Sequence, residues 1–295
     1  MRNTLKTAIL LAALGGLLIL VGGGVFGGAG AAIGLVLGLV IVGGSYWFSD
    51  AIALRAARAR PVSEAEAPRL HAVVRELATR ADLPMPRVYV TPDQQANAFA
   101  TGRSPAKAAV AVTEGLLRTL DERELRGVLA HELMHVRHRD ILIGSVAAAV
   151  AMAIMFVARM AMFGALFGGG RDREGGNAFG ALALALLAPV AAMLVQMSVS
   201  RTREYAADEE AARLIGDGEP LARALERLHA SASRVPMDVN PALENAYIVS
   251  PLSAGARQRG NVARLFSTHP PAEERVARLR AMRFDGLPTG ARLFR

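Results

Sequence analysis

Apolar positions follow two regimes along this chain. In four stretches, at about 7–26, 31–48, 141–167 and 178–199, they run almost unbroken. Each stretch is about long enough to cross a hydrocarbon core as a helix. Elsewhere the apolar residues become periodic. Leu70, Val73, Val74 and Leu77 share one helical face within 64–80, and Pro84 and Pro86 close that helix. Residues 87–90 read as a short strand. Residues 97–100 and 109–112 read as two further strands, joined by a turn around Gly102 and Pro105. Asp121 with Glu124 forms a capping box that opens the next helix. Helices are also expected over 204–214 and 220–231. A looser stretch rich in Pro, Gly and Ser follows at 234–260, and a last helix starts near Pro271.

The fold class expected from this pattern is mainly α, with four transmembrane helices and a soluble α+β part carrying a small sheet. A cleaved leader would also begin with Lys6 before an apolar run. The second span follows almost at once, however, which fits a helical hairpin better. Gly30, Gly34 and Gly38 fall on one face of the second span, where another backbone can approach closely. Arg159 lies about 20 residues beyond Asp140, a depth at which its side chain can snorkel to the far interface.

Orientation follows from the basic residues. Arg2 and Lys6 precede the first span, and Arg55, Arg58 and Arg60 follow the second. Arg137 and Arg139 precede the third, and Arg201 and Arg203 follow the fourth. The link between the first two spans is uncharged, and in the other link Arg171 and Arg173 are offset by Asp172 and Glu174. The side holding the N-terminus, residues 51–140 and residues 200–295 is therefore expected to be cytoplasmic. The expected organisation is a membrane hairpin over 1–50, a cytoplasmic part over 51–140, a second hairpin over 141–199 and a cytoplasmic helical part over 200–295.

Composition narrows the chemistry. Hydrophobic residues make up 52% of the 295 and charged residues 20%, in keeping with membrane spans. The net charge of +8 suits a positive-inside membrane protein. Nucleic acid is not an expected partner, because aromatics are only 5% and the basic residues are interspersed with acids. There is no cysteine, so any metal must be held by His, Asp or Glu.

One motif carries such chemistry. His131-Glu132-Leu133-Met134-His135 matches H-E-x-x-H on a predicted helix. Four residues are about one turn, so both imidazoles leave the same face and can reach one zinc ion. Glu132 lies beside them as the candidate general base. The five-residue pattern alone is weak, and zinc needs a third protein ligand. Glu204 is the candidate, just past the fourth apolar stretch, with Asp208 one turn later on the same face. A solvated acidic helix is the bland alternative, since Glu209 and Glu210 follow directly. Topology favours the ligand reading. His135 lies about five residues before the third stretch and Glu204 about five after the fourth. An antiparallel hairpin would bring both to one side, close to the lipid headgroups. Asp208 would then accept the free ring N–H of a zinc-bound His.

These pieces together resemble the HtpX heat-shock protease family, membrane relatives of the CAAX prenyl protease among the gluzincin zinc peptidases. The matching residues are 97–102, His131 to His138 with Asp140, 200–208, and 267–271 with Glu273, Glu274 and Arg275. The resemblance covers nearly the whole chain. It implies a zincin-like catalytic domain that binds one Zn(2+) per chain through His131, His135 and Glu204, with Glu132 as catalytic base. Asp208 would orient a ligand His. Asn97, Ala98, Phe99 and Ala100 would form the edge strand that receives substrate backbone, with Asn97 helping to hold a substrate carbonyl. His269 would stabilise the oxyanion, supported by Arg275. The substrates implied are proteins, misfolded membrane proteins above all, cut at the cytoplasmic face of the bilayer. A processing peptidase of defined specificity and a non-catalytic membrane scaffold are the alternatives. The scaffold reading is weakened because neither Glu132 nor any ligand is missing.

Overall fold

A computed structural model describes residues 46–143, 201–235, 246–249 and 270–284, with single positions among 12–44 and at 146 and 237. The predicted spans at 7–26, 141–167 and 178–199 fall almost wholly outside these residues, as does His269; of the span at 31–48 the described positions are helical. Among the described residues no helix is long and apolar enough to cross a membrane.

A four-stranded mixed sheet organises the described part. Its strands are β1 (Arg60–Pro61), β2 (Arg87–Thr91), β3 (Ala98–Thr101) and β4 (Ala109–Thr113), in the order β1-β2-β4-β3. β1 runs antiparallel to β2, β2 parallel to β4, and β3 antiparallel to β4. β3 is thus an edge of the sheet although it precedes β4 in sequence. All five residues of β4 are buried, because both sheet faces are covered. Val110 and Val112 face the main core, while Ala109 and Ala111 face a second cluster with Ala53, Leu54, Ala57, Phe99 and Tyr247. Small residues on that second face let the helical residues 46–56 and Ala57 lie close.

Among the described residues, these helices pack with the sheet beside the helical residues 46–56: α1 (Pro68–Arg80), α2 (Glu114–Thr119), α3 (Glu122–Arg137), α4 (Arg201–Ile215), α5 (Glu219–Arg234) and α6 (Ala272–Ala281). The helix expected over 64–80 begins only at Pro68, because proline suits the first turn, where its missing N–H is not needed. Strand β1 and helix α2 were not expected. Both are too short to show a period.

Helix α3 is central, packing on α1, α4, α5 and β3. Its first turn is closed by the expected capping box. The Asp121 carboxylate accepts from the Glu124 N–H at 2.9 Å, and the Glu124 carboxylate accepts from the Asp121 N–H at 3.0 Å. Gly127 sets how closely α5 approaches, since a Cβ there would lie 2.8 Å from the Leu221 nitrogen. Alanine would favour the isolated helix by about 1 kcal/mol. In this packed site, Gly127→Ala is nevertheless expected to destabilise the chain by about 1–3 kcal/mol. Thermal melts of the two purified chains check this, and an unchanged or higher melting temperature would refute it.

Candidate active site

Helix α3 carries His131, Glu132 and His135 into the interior, the first two buried at 1% and 2% relative exposure. The edge strand of the sheet and the helix meet here, since the Ala100 N–H of β3 donates to the Glu132 carboxylate. From α4, Glu204 enters the same space. The two Nε2 atoms lie 3.1 Å apart. Glu204 Oε1 is 3.3 Å from His135 Nε2, and Glu204 Oε2 is 3.8 Å from His131 Nε2. One ligand atom from each residue lies within 4.8 Å of the others.

The other ring nitrogens are engaged. His131 Nδ1 lies 2.9 Å from Asp208 Oδ1, and His135 Nδ1 lies 3.0 Å from Asp140 Oδ2. A carboxylate at Nδ1 selects the tautomer with a proton on that nitrogen, which leaves both Nε2 lone pairs facing Glu204. Three donors separated by about 3.3 Å are what a tetrahedral ion with ligand bonds of about 2.0–2.1 Å requires. The donor set of two imidazoles and one carboxylate, without sulfur, fits zinc in the three-ligand form that keeps a position open for catalysis.

Electrostatics follow from burial. Burial pushes the Glu132 carboxyl up to about 7, with the Glu204 charge adding to the rise. The charges of His135 and Arg275 and the Ala100 N–H oppose it. Burial lowers the His131 imidazole despite Asp208. At His135 burial also disfavours the charge, but Glu204, Asp140 and Glu132 outweigh it and raise the imidazole to about 10. The carboxylates that attract that proton would equally attract a divalent cation, and the two compete for one lone pair.

Arg275 of α6 lies behind His131. It is 2% exposed and forks onto Asp208, with Nε to Oδ2 at 2.8 Å and Nη2 to Oδ1 at 2.7 Å. Burial alone would raise the Asp208 carboxyl, yet Arg275 and His131 hold it below the usual carboxylate range. The structure therefore places Arg275 on Asp208, the two residues expected to act behind the ligands; the expected pairing of Arg275 with His269 lies outside the described residues.

Asp140 was missed as a site residue. Helix α3 ends at Arg137, with His138 as its cap, and Arg139 takes φ 59. That left-handed residue turns the chain back, so the next carboxylate meets His135. Five residues after a ligand His is no helical spacing, and only the turn makes it a contact. His138 stays outside the centre and lies 3.0 Å from Glu210. Asn97 is fully buried, and its side chain is turned to the backbone of Val249.

Residues 64–283 match the profile of Peptidase family M48. The chain belongs to peptidase family M48. This M48 chain is 53% identical over 287 residues to a protein named Protease HtpX homolog from Syntrophobacter fumaroxidans, covering 96% of this chain and 100% of that one. It is also 53% identical over 283 residues to the Protease HtpX homolog of Pelotomaculum thermopropionicum, covering 95% and 99%. The Protease HtpX homolog of Burkholderia mallei is 50% identical over 294 residues, covering 97% and 100%. Among solved structures, S. mikatae Ste24p overlaps with a TM-score of 0.48 at 20% identity, over 95% of this chain and 64% of that one. As an M48 member the chain is a zinc metallopeptidase, and the His131, His135 and Glu204 cluster is where its metal would be held.

Proposed function

We propose that this chain is a membrane-embedded endopeptidase that cuts misfolded membrane proteins at the cytoplasmic surface. The observation that carries this reading is the convergence of His131, His135 and Glu204 beside Glu132, directly under the edge strand β3. Two features support the membrane setting. Helix α3 ends at Arg137, just before the apolar stretch at 141–167, and α4 carries Arg201 and Arg203 just after the one at 178–199. The arginines at both junctions favour the cytoplasmic side.

Zinc held by the three ligands supplies Lewis acidity and lowers the pKa of a water toward about 7. The chain's own residues do the rest. Glu132, oriented by the Ala100 N–H, takes a proton from the attacking water and passes it to the leaving amine nitrogen. Asp208 and Asp140 fix the ring orientation of His131 and His135. An edge strand adds main-chain hydrogen bonds to any extended peptide and reads little of its sequence, which suits unfolded substrates.

The test uses the whole chain purified in detergent with casein as an unfolded substrate. Cleavage is expected to cease on chelation and to return on adding about one equivalent of zinc per chain. Cleavage that survives complete zinc removal, measured by elemental analysis of the same sample, would end this reading.

A further inference from the structure

The outer edge of β3 is occupied by this chain itself. Successive residues of a strand direct their backbone groups to opposite edges. The Asn97 carbonyl accepts from the Thr113 N–H at 3.0 Å on the β4 side. The Ala98 carbonyl therefore faces outward, where the Ile248 N–H donates to it at 3.0 Å. Tyr247 opposes Phe99 as an antiparallel bridge, and their rings meet edge to face at 5.1 Å.

Buried side chains complete the grip. Asn97 Nδ2 donates to the Val249 carbonyl at 2.8 Å, and Asn97 Oδ1 accepts from the Val249 N–H at 3.4 Å. Arg275 Nη1 donates to the Ile248 carbonyl at 3.1 Å and lies 3.7 Å from Glu204 Oε2. The N–H and C=O of two consecutive residues are thus all held, and none of the four bonds reads a side chain. The lane thus grips extended backbone, and the side chains of Tyr247, Ile248 and Val249 are buried against the core beside it. It also sits at the chemistry. Two residues along β3 from Ala98, the Ala100 N–H holds Glu132, and the guanidinium that holds Ile248 also holds Asp208 behind His131.

We propose that residues 247–249 occupy the lane in which a substrate backbone is held, and that Asn97, the Ala98 carbonyl and Arg275 are the groups that hold it there. A substrate makes the same bonds only after this segment leaves, so the chain is its own tethered competitor. Tethering gives such a competitor an effective concentration in the millimolar range. Resting cleavage is therefore slow, and self-occlusion limits damage by an unspecific active site. This inference rests on the endopeptidase reading for its consequence, but its binding test does not require turnover.

Two alterations of the full zinc-loaded chain test it. Ile248→Pro removes the N–H that Ala98 accepts. Phe99→Cys with Tyr247→Cys places thiols at opposed positions of the antiparallel bridge, Cα atoms about 4.5–5.5 Å apart, within the reach of a disulfide. The chain has no cysteine of its own, so no other intramolecular pair can form. Each protein is assayed for binding of a labelled peptide with the sequence of residues 246–250, for casein cleavage and for zinc content.

Ile248→Pro is expected to bind the peptide and cleave casein about fivefold better than the unaltered chain, the value of one ordinary hydrogen bond. The oxidised cysteine pair is expected to do neither, and reduction restores both with zinc content unchanged. An oxidised pair that binds peptide as well as the reduced form, or a reduced form that does not bind it, overturns the proposal. The cysteine pair decides the matter even where Ile248→Pro fails to fold. If reduction restores peptide binding while no form cleaves casein, the occlusion stands and the endopeptidase reading fails.

Discussion

Glu132→Gln is expected to reduce casein cleavage by roughly 10²–10⁴-fold while the chain still binds about one zinc. The amide is nearly isosteric with the carboxylate, and its oxygen can still accept the Ala100 N–H. It cannot take a proton from water. The three groups that converge as ligands, on His131, His135 and Glu204, are untouched. The variant therefore separates two jobs that the H-E-x-x-H pattern assigns to neighbouring residues. Zinc lost along with activity would make Glu132 part of the metal-holding set. Activity retained to within a factor of a few would remove Glu132 as the proton acceptor, since no other carboxylate on α3 is turned into this site. A buried acid is also a strained choice in a resting protein: burial holds Glu132 near 7, where it is readily protonated. A group poised there can both accept and return a proton at neutral pH, and glutamine can do neither.

Much of the site was legible in the sequence because its spacing is helical. His131, Glu132 and His135 are set by one turn of α3, and Glu204 and Asp208 by one turn of α4. An i, i+4 pair shares a face whatever surrounds it. The apolar stretches between the two motifs gave the reason that both would emerge together. The sheet was partly legible: Arg87–Thr91, Ala98–Thr101 and Ala109–Thr113 appear within a residue or so of expectation, each rich in strand-favouring or small apolar residues. The parallel pairing of β2 with β4 was not legible, since strand order depends on tertiary packing and leaves no local mark. Asp140 escaped because its contact depends on a single left-handed residue, Arg139. Tyr247–Val249 escaped for another reason. These three strand-favouring residues sit in a stretch that composition marks as loose. Only the structure shows that they lie along β3 and that Arg275 reaches them.

Arg275→Met is expected to destabilise the chain by about 3–5 kcal/mol, because it leaves the buried Asp208 carboxylate without its cationic partner. It is also expected to weaken zinc binding by about 10–100-fold, since Asp208 orients His131 from behind. Methionine matches the arginine stem in length, so lost packing contributes little and the charge dominates. The two effects are separable. In Arg275→Met with Asp208→Asn, the buried charge is gone and much of the stability is expected to return. The neutral amide accepts the His131 Nδ1–H less strongly than the carboxylate, so zinc affinity stays low. Arg275→Lys is expected to fall between the two, because an ammonium cannot fork onto Asp208 and reach the Ile248 carbonyl at once. Melting temperature and zinc affinity measured on all three variants distinguish the possibilities. A purely structural ion pair would move stability and leave zinc affinity unchanged. A clamp on the metal centre moves both in Arg275→Met and only the second in the double variant. The geometry favours the clamp: one guanidinium, itself buried, touches the carboxylate behind one candidate ligand, lies 3.7 Å from the carboxylate of another, and holds the backbone carbonyl of Ile248 alongside β3.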